Sequence, residues 1–390
     1  MDWIYLDHNA TTPPAPEVVR EVVAVLRNSW AHPWSAHAAG RRAHRVLATA
    51  RARVARLLGE AAPEEILFTA GGTAADGLAL ELALAWGQAR GRRLVVASAI
   101  EHPAVRERLR ALQRAGACAV RWLPVEPGGR VDLGAARAAI DEQVALVSVM
   151  WANHETGVLQ PVAELAALAH RAGALMHSDA VQAAGRVPLA GARQAGVDLL
   201  ALSAHKLYGP QGVGALWVRG ERLAELEAAA GGSELGQSSA DVAGAAGLGV
   251  ACELVRADLE GGVAARMAVL RDRLEARVFE RIPGVARNGA AAPRLPNTAS
   301  LRFEGTDGAE LVRVLSELGV MASSGSACSS YRLEPSHVLV AMGLDARAAR
   351  GALRLSLGRG TTEAEIDEAV ARLATAVARV RKLGTGVRPR

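Results

Sequence analysis

Lysine is the first residue type that this sequence makes conspicuous. Of its 45 basic residues, 43 are arginine and two are lysine, Lys206 and Lys382. Arginine can replace lysine as a surface cation, but its guanidinium stays protonated and cannot serve as an amine nucleophile. In a chain that has drifted this far towards arginine, a retained lysine marks a position where the amine itself is needed. Lys382 lies in the last helical pattern near the end of the chain and reads as a solvated surface charge. Lys206 lies in SAHKLYGPQGVG, between a strongly apolar run and a glycine-rich turn. It reads as a functional amine, able to hold a carbonyl compound as a Schiff base.

Such an amine needs partners. Asp179 ends the apolar run ALMHSD, where a carboxylate could balance a cationic ring nitrogen or cap the following helix. Gly71, Gly72 and Thr73 enter a helix and offer N–H groups and a hydroxyl to a phosphate, although the same residues could be a simple turn. No GK[ST] follows, so this is not a P-loop. Ser203 and His205 flank the lysine and could reach the same anion. His102 precedes Pro103 and could stack on a ring or be an ordinary histidine at a helix start. Arg354 sits inside the apolar run GALRLSLG, and a buried arginine demands an anion. That anion could be a substrate carboxylate, which matches the guanidinium fork, or a structural partner. Cys328, in MASSGSACSSYRLEPS, is surrounded by small flexible residues. Its thiol could travel to a substrate as a nucleophile, or be a small buried hydrophobe. Cys118 and Cys252 lie in apolar patterns and read as core. His32, His37 and His44 are irregularly spaced with no acid or thiol among them, so no metal site is expected.

The elements that must position these residues alternate along the middle of the chain. EILF (65–68), RLVVA (93–97), ALVSVM (145–150), ALMHSD (174–179), VDLLALS (197–203) and VGALWV (213–218) read as buried strands. Helical patterns run from about Thr73 to Ala89 and open again near Pro103 and at Pro161. The alternation predicts an α/β fold with a mostly parallel sheet covered on both faces. Ligands bind at the carboxyl ends of such strands, and Gly71–Thr73, Glu101–His102, Asn153–Glu155, Asp179 and Ser203–Lys206 all fall there. One long amphipathic pattern from about Asp241 to Arg281 reads as a connecting helix. TASLRF, GALRLSLG and a closing helix from about Thr362 to Lys382 then predict a smaller α+β domain. The expected division is 15–255 for the large domain, with 1–14 and 256–390 in the small one.

Composition excludes several classes. At 390 residues the chain can bury a large core plus a satellite domain. No run of about 18 apolar residues escapes a charge or turn signal, and the MDWIYLDHNATTPP start lacks the pattern of a signal peptide. A cytoplasmic location without membrane attachment is the expectation. Three scattered cysteines make neither a disulfide framework nor a CxxC site. The net charge of +5 is spread rather than blocked, which argues against nucleic acid as a partner.

Taken together, IYLDHNATTP, PWSAHAAG, EILFTAGGT, EHPAV, ANHETGVLQP, HSDAVQ, SAHKLYGPQGVGAL, SSGSACSS, LEPS and LRLSLGRGTT resemble the cysteine desulfurases. These belong to the class V aminotransferases, within fold type I of the pyridoxal-phosphate enzymes. The resemblance covers nearly the whole chain. SSGSAC with its short spacing to LEPS is similar to the nitrogen-fixation and housekeeping group rather than to the group with a GHHCA-type motif. It implies fold type I, with a seven-stranded large-domain sheet, and pyridoxal 5'-phosphate as cofactor. Lys206 would hold the cofactor and take the substrate α-proton. His102 would stack on its ring, Asp179 would pair with the pyridinium, and Gln182 would bond the phenolic oxygen. Gly72, Thr73, Ser203 and His205 would hold the phosphate, and Arg354 would bind the carboxylate of L-cysteine. Cys328 would take the substrate sulfur as a persulfide and release alanine. A homodimer and a sulfur-acceptor protein are the implied partners.

The sequence departs from the family pattern at several cofactor contacts. AGGTAADG lacks polar side chains at Ala74 and Gly77, and His154 stands where a second asparagine normally faces the cofactor. His32 replaces the asparagine of a GNPSS-like segment. GGSELGQSSADV stands in place of the RSGT-like segment, with Ser238 or Ser239 as substitutes. These changes point to a specialised paralogue. A related C–S or selenocysteine lyase, which does not need Cys328, is the alternative enzyme. A non-catalytic scaffold is the alternative outside enzymes.

Overall fold

The computed structural model describes residues 3–59, 61–231, 241–290, 292–325 and 335–385. A short strand, β1 (Ile4–Tyr5), precedes helices α1 (Pro16–Asn28) and α2 (Ala38–Leu57). The central sheet then takes β2 (Ile66–Thr69), β3 (Leu94–Ser98), β4 (Ala119–Leu123), β5 (Val144–Ser148), β6 (Leu175–Asp179), β7 (Leu199–Ser203) and β8 (Gly214–Val218). Their order is β2-β8-β7-β6-β5-β3-β4, parallel except that β8 runs against both of its neighbours. Between them lie α3 (Gly72–Gln88), α4 (Pro103–Arg114), α5 (Leu133–Ala139) and α6 (Val162–Arg171), and α7 (Gly220–Ala229) follows.

Every residue of β3, β5, β6, β7 and β8 is buried, which explains the apolar runs of all but β6, whose His177, Ser178 and Asp179 are buried polar groups. Side chains alternate between two cores. Leu199 and Ala201 pack with α3, while Leu200 and Leu202 pack with α2 and with α8 (Val242–Glu260). The expected fold class is the one observed. One strand went unread and two local readings need correction. AVRWL is a strand, although Arg121 interrupts its apolar run; as the sheet's edge strand, β4 leaves Arg121 free to pair with Asp141 at 2.7 Å. The pattern from Asp241 to Arg281 is two helices, α8 and α9 (Val263–Arg281), because Gly262 adopts φ +78° between them. Glu65 lies in a 3₁₀ turn before β2. Its buried carboxylate accepts from Trp217 Nε1 at 2.7 Å and Gly220 N at 2.8 Å.

A second apolar core gathers Ile4, Leu6, Leu274, Phe303, Leu353 and Val377. It is built on the antiparallel sheet β12-β10-β9, from β9 (Val285–Arg287), β10 (Thr298–Phe303) and β12 (Ala352–Ser356). Helices α10 (Gly308–Glu317) and α13 (Glu363–Thr385) cover it, and β11 (Val320–Met321) pairs in parallel with β1. Two short helices, α11 (His337–Ala341) and α12 (Ala346–Arg350), precede β12. The chain after β1 therefore leaves this core and passes across the carboxyl ends of the central strands. No helix among the described residues is long and apolar enough to cross a membrane.

Candidate active site

A cavity of about 520 Å³ opens at the carboxyl ends of β6 and β7. Gly72, Thr73, His102, His154, Asp179, Gln182, Ser203, His205 and Lys206 all line it, together with Asp76 and Ala10. The structure thus brings nine of the expected site residues together from five separate stretches of sequence.

Lys206 closes a 3₁₀ turn, Ala204–Lys206, immediately after β7. That turn is strapped down by the N-terminal segment. Thr12 Oγ1 donates to His205 O at 2.8 Å and accepts from Tyr208 N at 2.7 Å. Gly209 must be glycine, since a Cβ there would lie 2.8 Å from both Cβ and O of Ala204. Lys206 Nζ donates to Asn9 O at 2.5 Å and to Ala10 O at 2.7 Å. Gln182 Nε2 shares Asn9 O at 2.9 Å, and Arg186 Nη1 donates to Gln182 Oε1 at 3.3 Å. Asn9 is itself pinned by Thr298 and Asn297 across the second core.

The floor of the cavity is acidic. Asp179 accepts from Val181 N at 2.9 Å, so it does cap the turn that follows β6, and it forms no salt bridge among the described residues. Burial, with Asp76 beside it, pushes its carboxyl up to about 7. Asp76, one turn into α3, is driven well above the usual range by burial; its Oδ1 has no hydrogen-bond partner among the described residues and lies 3.5 Å from His177 Nε2. Glu101 is raised for the same reason, although its Oε1 accepts from Met150 N at 2.8 Å. Asp76 and Asp179 thus line the cavity as buried carboxyl groups, with Lys206 as the cation among its lining side chains. At the other end, α3 starts from Gly71 with no side-chain cap, so its first-turn N–H groups are available to an anion.

Imidazoles form the opposite wall. His102 caps α4 by accepting from Ala104 N at 3.1 Å, which fixes Nδ1 as the unprotonated nitrogen. Burial first, then the charges of Lys206, His337 and Arg354, lower it to about 4. His154 packs edge-on against it, centroids 5.0 Å apart, and lies 6.4 Å from His337. His154 is held well below the usual value by burial and by His102, and its Nδ1 has no hydrogen-bond partner among the described residues. His205 faces Thr11 Oγ1 at 3.1 Å and is lowered to about 4 by burial and Lys206.

A half-buried lysine sharing a cavity with a buried strand-end carboxylate, beside an open helix start, coincides with a family match along most of the chain. The model for "Aminotransferase class-V" matches residues 4–369. The chain belongs to the class-V aminotransferase family. A "Cysteine desulfurase" of Cereibacter sphaeroides is 44% identical over 385 residues, covering 98% of both chains. A solved "NIFS-LIKE PROTEIN" matches with TM-score 0.84 and 31% identity, over 97% of this chain and 100% of that one. A further solved structure, "SspA in complex with cysteine", matches with TM-score 0.77 and 30% identity, over 92% of this chain and 99% of that one.

Arg354 departs from expectation within this class-V frame. It is 2% exposed but does not line the cavity. It stands behind His154, donating from Nη1 to His154 O at 2.8 Å and from Nη2 to Asp7 Oδ1 at 2.8 Å. The structural ion pair is therefore present, and Nε is left without a partner among the described residues. Cys328, Ser238 and Ser239 lie outside the described residues. Cys118 and Cys252 are buried free thiols, and burial raises both. Sequence reasoning missed Asp7, Asn9, Asp76, Arg186 and His337. Only Asp76 had a usable signal: three residues after Thr73 on one helix, it shares that residue's face.

Proposed function

We propose that the protein is a pyridoxal-phosphate-dependent L-cysteine desulfurase, with its cofactor in the cavity around Lys206. The observation that carries this reading is the buried strand-end carboxylate of Asp179 in the same cavity as the Lys206 amine. The residues fit the group. A pyridinium would give Asp179 a cationic partner in direct contact, and the phosphate would meet the first N–H groups of α3 with Thr73, Ser203 and His205. A Cβ on Gly72 would lie 2.9 Å from Val181 Cγ2 and 3.1 Å from Ser203 Cβ, so glycine keeps that cradle open.

When bound, the cofactor serves as the electron sink for a substrate carbanion. Lys206 holds it and then removes the substrate α-proton, its amine being oriented by the carbonyls of Asn9 and Ala10. Gln182, fixed by Asn9 O and Arg186, presents its amide to the phenolic oxygen. His102 covers one ring face as a neutral imidazole. Arg354 takes the substrate carboxylate. Cys328, as thiolate, attacks the substrate sulfur: the S–S bond forms, the C–S bond breaks, and its electron pair stays with the carbon that is protonated to give alanine. The relative solved "in complex with cysteine" supports cysteine as substrate. Reduction of the loaded protein with borohydride followed by peptide mass spectrometry tests the cofactor site. Label on Lys206 supports the reading, and label elsewhere or none refutes it.

The proposed organisation assigns 15–255 to the large domain and 1–14 with 256–390 to the small one, supported by the separate apolar core around Phe303 and Leu353. Val19, Val23, Leu26 and Trp30 form an exposed apolar stripe at helical spacing along and just beyond α1, which supports a homodimer with a second copy covering it. Buried free thiols accord with a reducing, cytoplasmic setting.

A further inference from the structure

We infer that Asp7 is a built-in competitor for the substrate carboxylate at Arg354, and so sets how tightly carboxylate-bearing ligands are held. The inference rests on the proposed reading of Arg354 as the carboxylate-binding group. A guanidinium offers five N–H donors in a rigid plane, and Nε with Nη2 makes one of its carboxylate forks. Asp7 Oδ1 occupies the Nη2 half of that fork at 2.8 Å. The Nε half is buried and unused among the described residues. The remaining nitrogen, Nη1, is spent on backbone: His154 O at 2.8 Å and Gly325 O at 3.4 Å.

Asp7 is not on a loose arm. Its backbone bridges Ser356, two residues beyond Arg354 on β12; Ser356 N donates to Leu6 O at 2.7 Å, and His8 N donates to Ser356 O at 3.3 Å. Arg354 is equally fixed, its N donating to Ser323 O at 2.6 Å. The pair is therefore set by two strands rather than by side-chain reach. Its open side is Asp7, whose side chain is 20% exposed against 2% for Arg354. A bidentate ligand arriving there must displace Asp7 from Nη2 and place a second negative charge beside it. Without Asp7 the buried cation would lose its ion-pair partner among the described residues and keep only the more distant carboxyl of Glu155, which is the cost the pair reduces. The result is a carboxylate site held at reduced affinity, with no effect on ligands that lack a carboxylate.

The test measures two fragments of the substrate on the cofactor-loaded protein by calorimetry: 3-mercaptopropionate, which has the carboxylate but no amine, and cysteamine, which has the amine but no carboxylate. Asp7→Asn should bind 3-mercaptopropionate about tenfold more tightly, the scale of one charge-assisted competitor removed, and leave cysteamine unchanged. Asp7→Ser removes the anion with a smaller side chain and should move the same way, which guards against a folding defect in either variant. Unchanged or weaker binding of 3-mercaptopropionate in both folded variants would overturn the inference, as would equal shifts for the two fragments. Arg354→Gln separates this from the underlying reading. If it fails to weaken 3-mercaptopropionate, Arg354 is not the carboxylate site; if it does weaken it while Asp7→Asn fails to tighten it, only the role of Asp7 falls.

Discussion

Replacing Asp179 with asparagine should strengthen the cofactor-free protein while loosening its hold on the cofactor. Burial, with Asp76 nearby, raises the Asp179 carboxyl from 3.8 to about 7. A carboxyl raised on folding contributes stability that is complete below its unfolded value and lost as pH climbs through its folded value. At about 1.4 kcal/mol per pH unit, the climb from 3.8 to about 7 removes about 4 kcal/mol. Asparagine has nearly the same shape and never ionises, so the variant escapes that loss. Urea unfolding of the cofactor-free proteins near pH 8 should place Asp179→Asn about 4 kcal/mol above the parent, and near pH 5.5 the gap should fall to about half. Adding pyridoxal phosphate should reverse the order, because asparagine cannot balance a ring cation; absorbance titration should show affinity lower by at least about tenfold. Equal stability near pH 8, or a gap that does not narrow with acid, would refute the argument that Asp179 is a buried charge awaiting its partner.

Three further outcomes follow from the same geometry. Gly72→Ala puts a Cβ 2.9 Å from Val181 Cγ2, and cofactor affinity by fluorescence titration should fall about tenfold. His102, lowered to about 4 chiefly by burial, should stay neutral, so nitrogen-detected NMR of the cofactor-free protein should show no titration of its ring between about pH 6 and 9. Cys252→Ser places a hydroxyl at a site with 0% exposure; thermal unfolding should show a loss of about 1–3 kcal/mol, with sulfide release from cysteine unchanged.

What could be read from the sequence was what local chemistry dictates. The apolar runs of β5 and β7 announced a doubly covered sheet, and the rarity of lysine singled out Lys206. The residues that went unread act through long-range or backbone contacts. Asp7 and Arg354 are 347 positions apart, and neither side chain signals the other. The acceptors of Lys206 Nζ are carbonyls of Asn9 and Ala10, atoms that every residue possesses. The edge strand β4 escaped because one open side lets Arg121 sit in mid-strand. The break at Gly262 escaped because the amphipathic pattern continues across it, while its backbone does not. His102 and Asp179 each carried two readings, and the structure shows why they could not be separated: both cap a local turn and line the cavity as well.

The central claim is tested most directly by supplying L-cysteine to the pyridoxal-phosphate-loaded protein and measuring alanine and protein-bound persulfide in a single turnover, alongside Cys328→Ala. The account predicts one alanine formed per persulfide, with the persulfide mapped to Cys328, and neither product from the variant. Alanine and free sulfide released equally well by Cys328→Ala would contradict it and make the protein a C–S lyase.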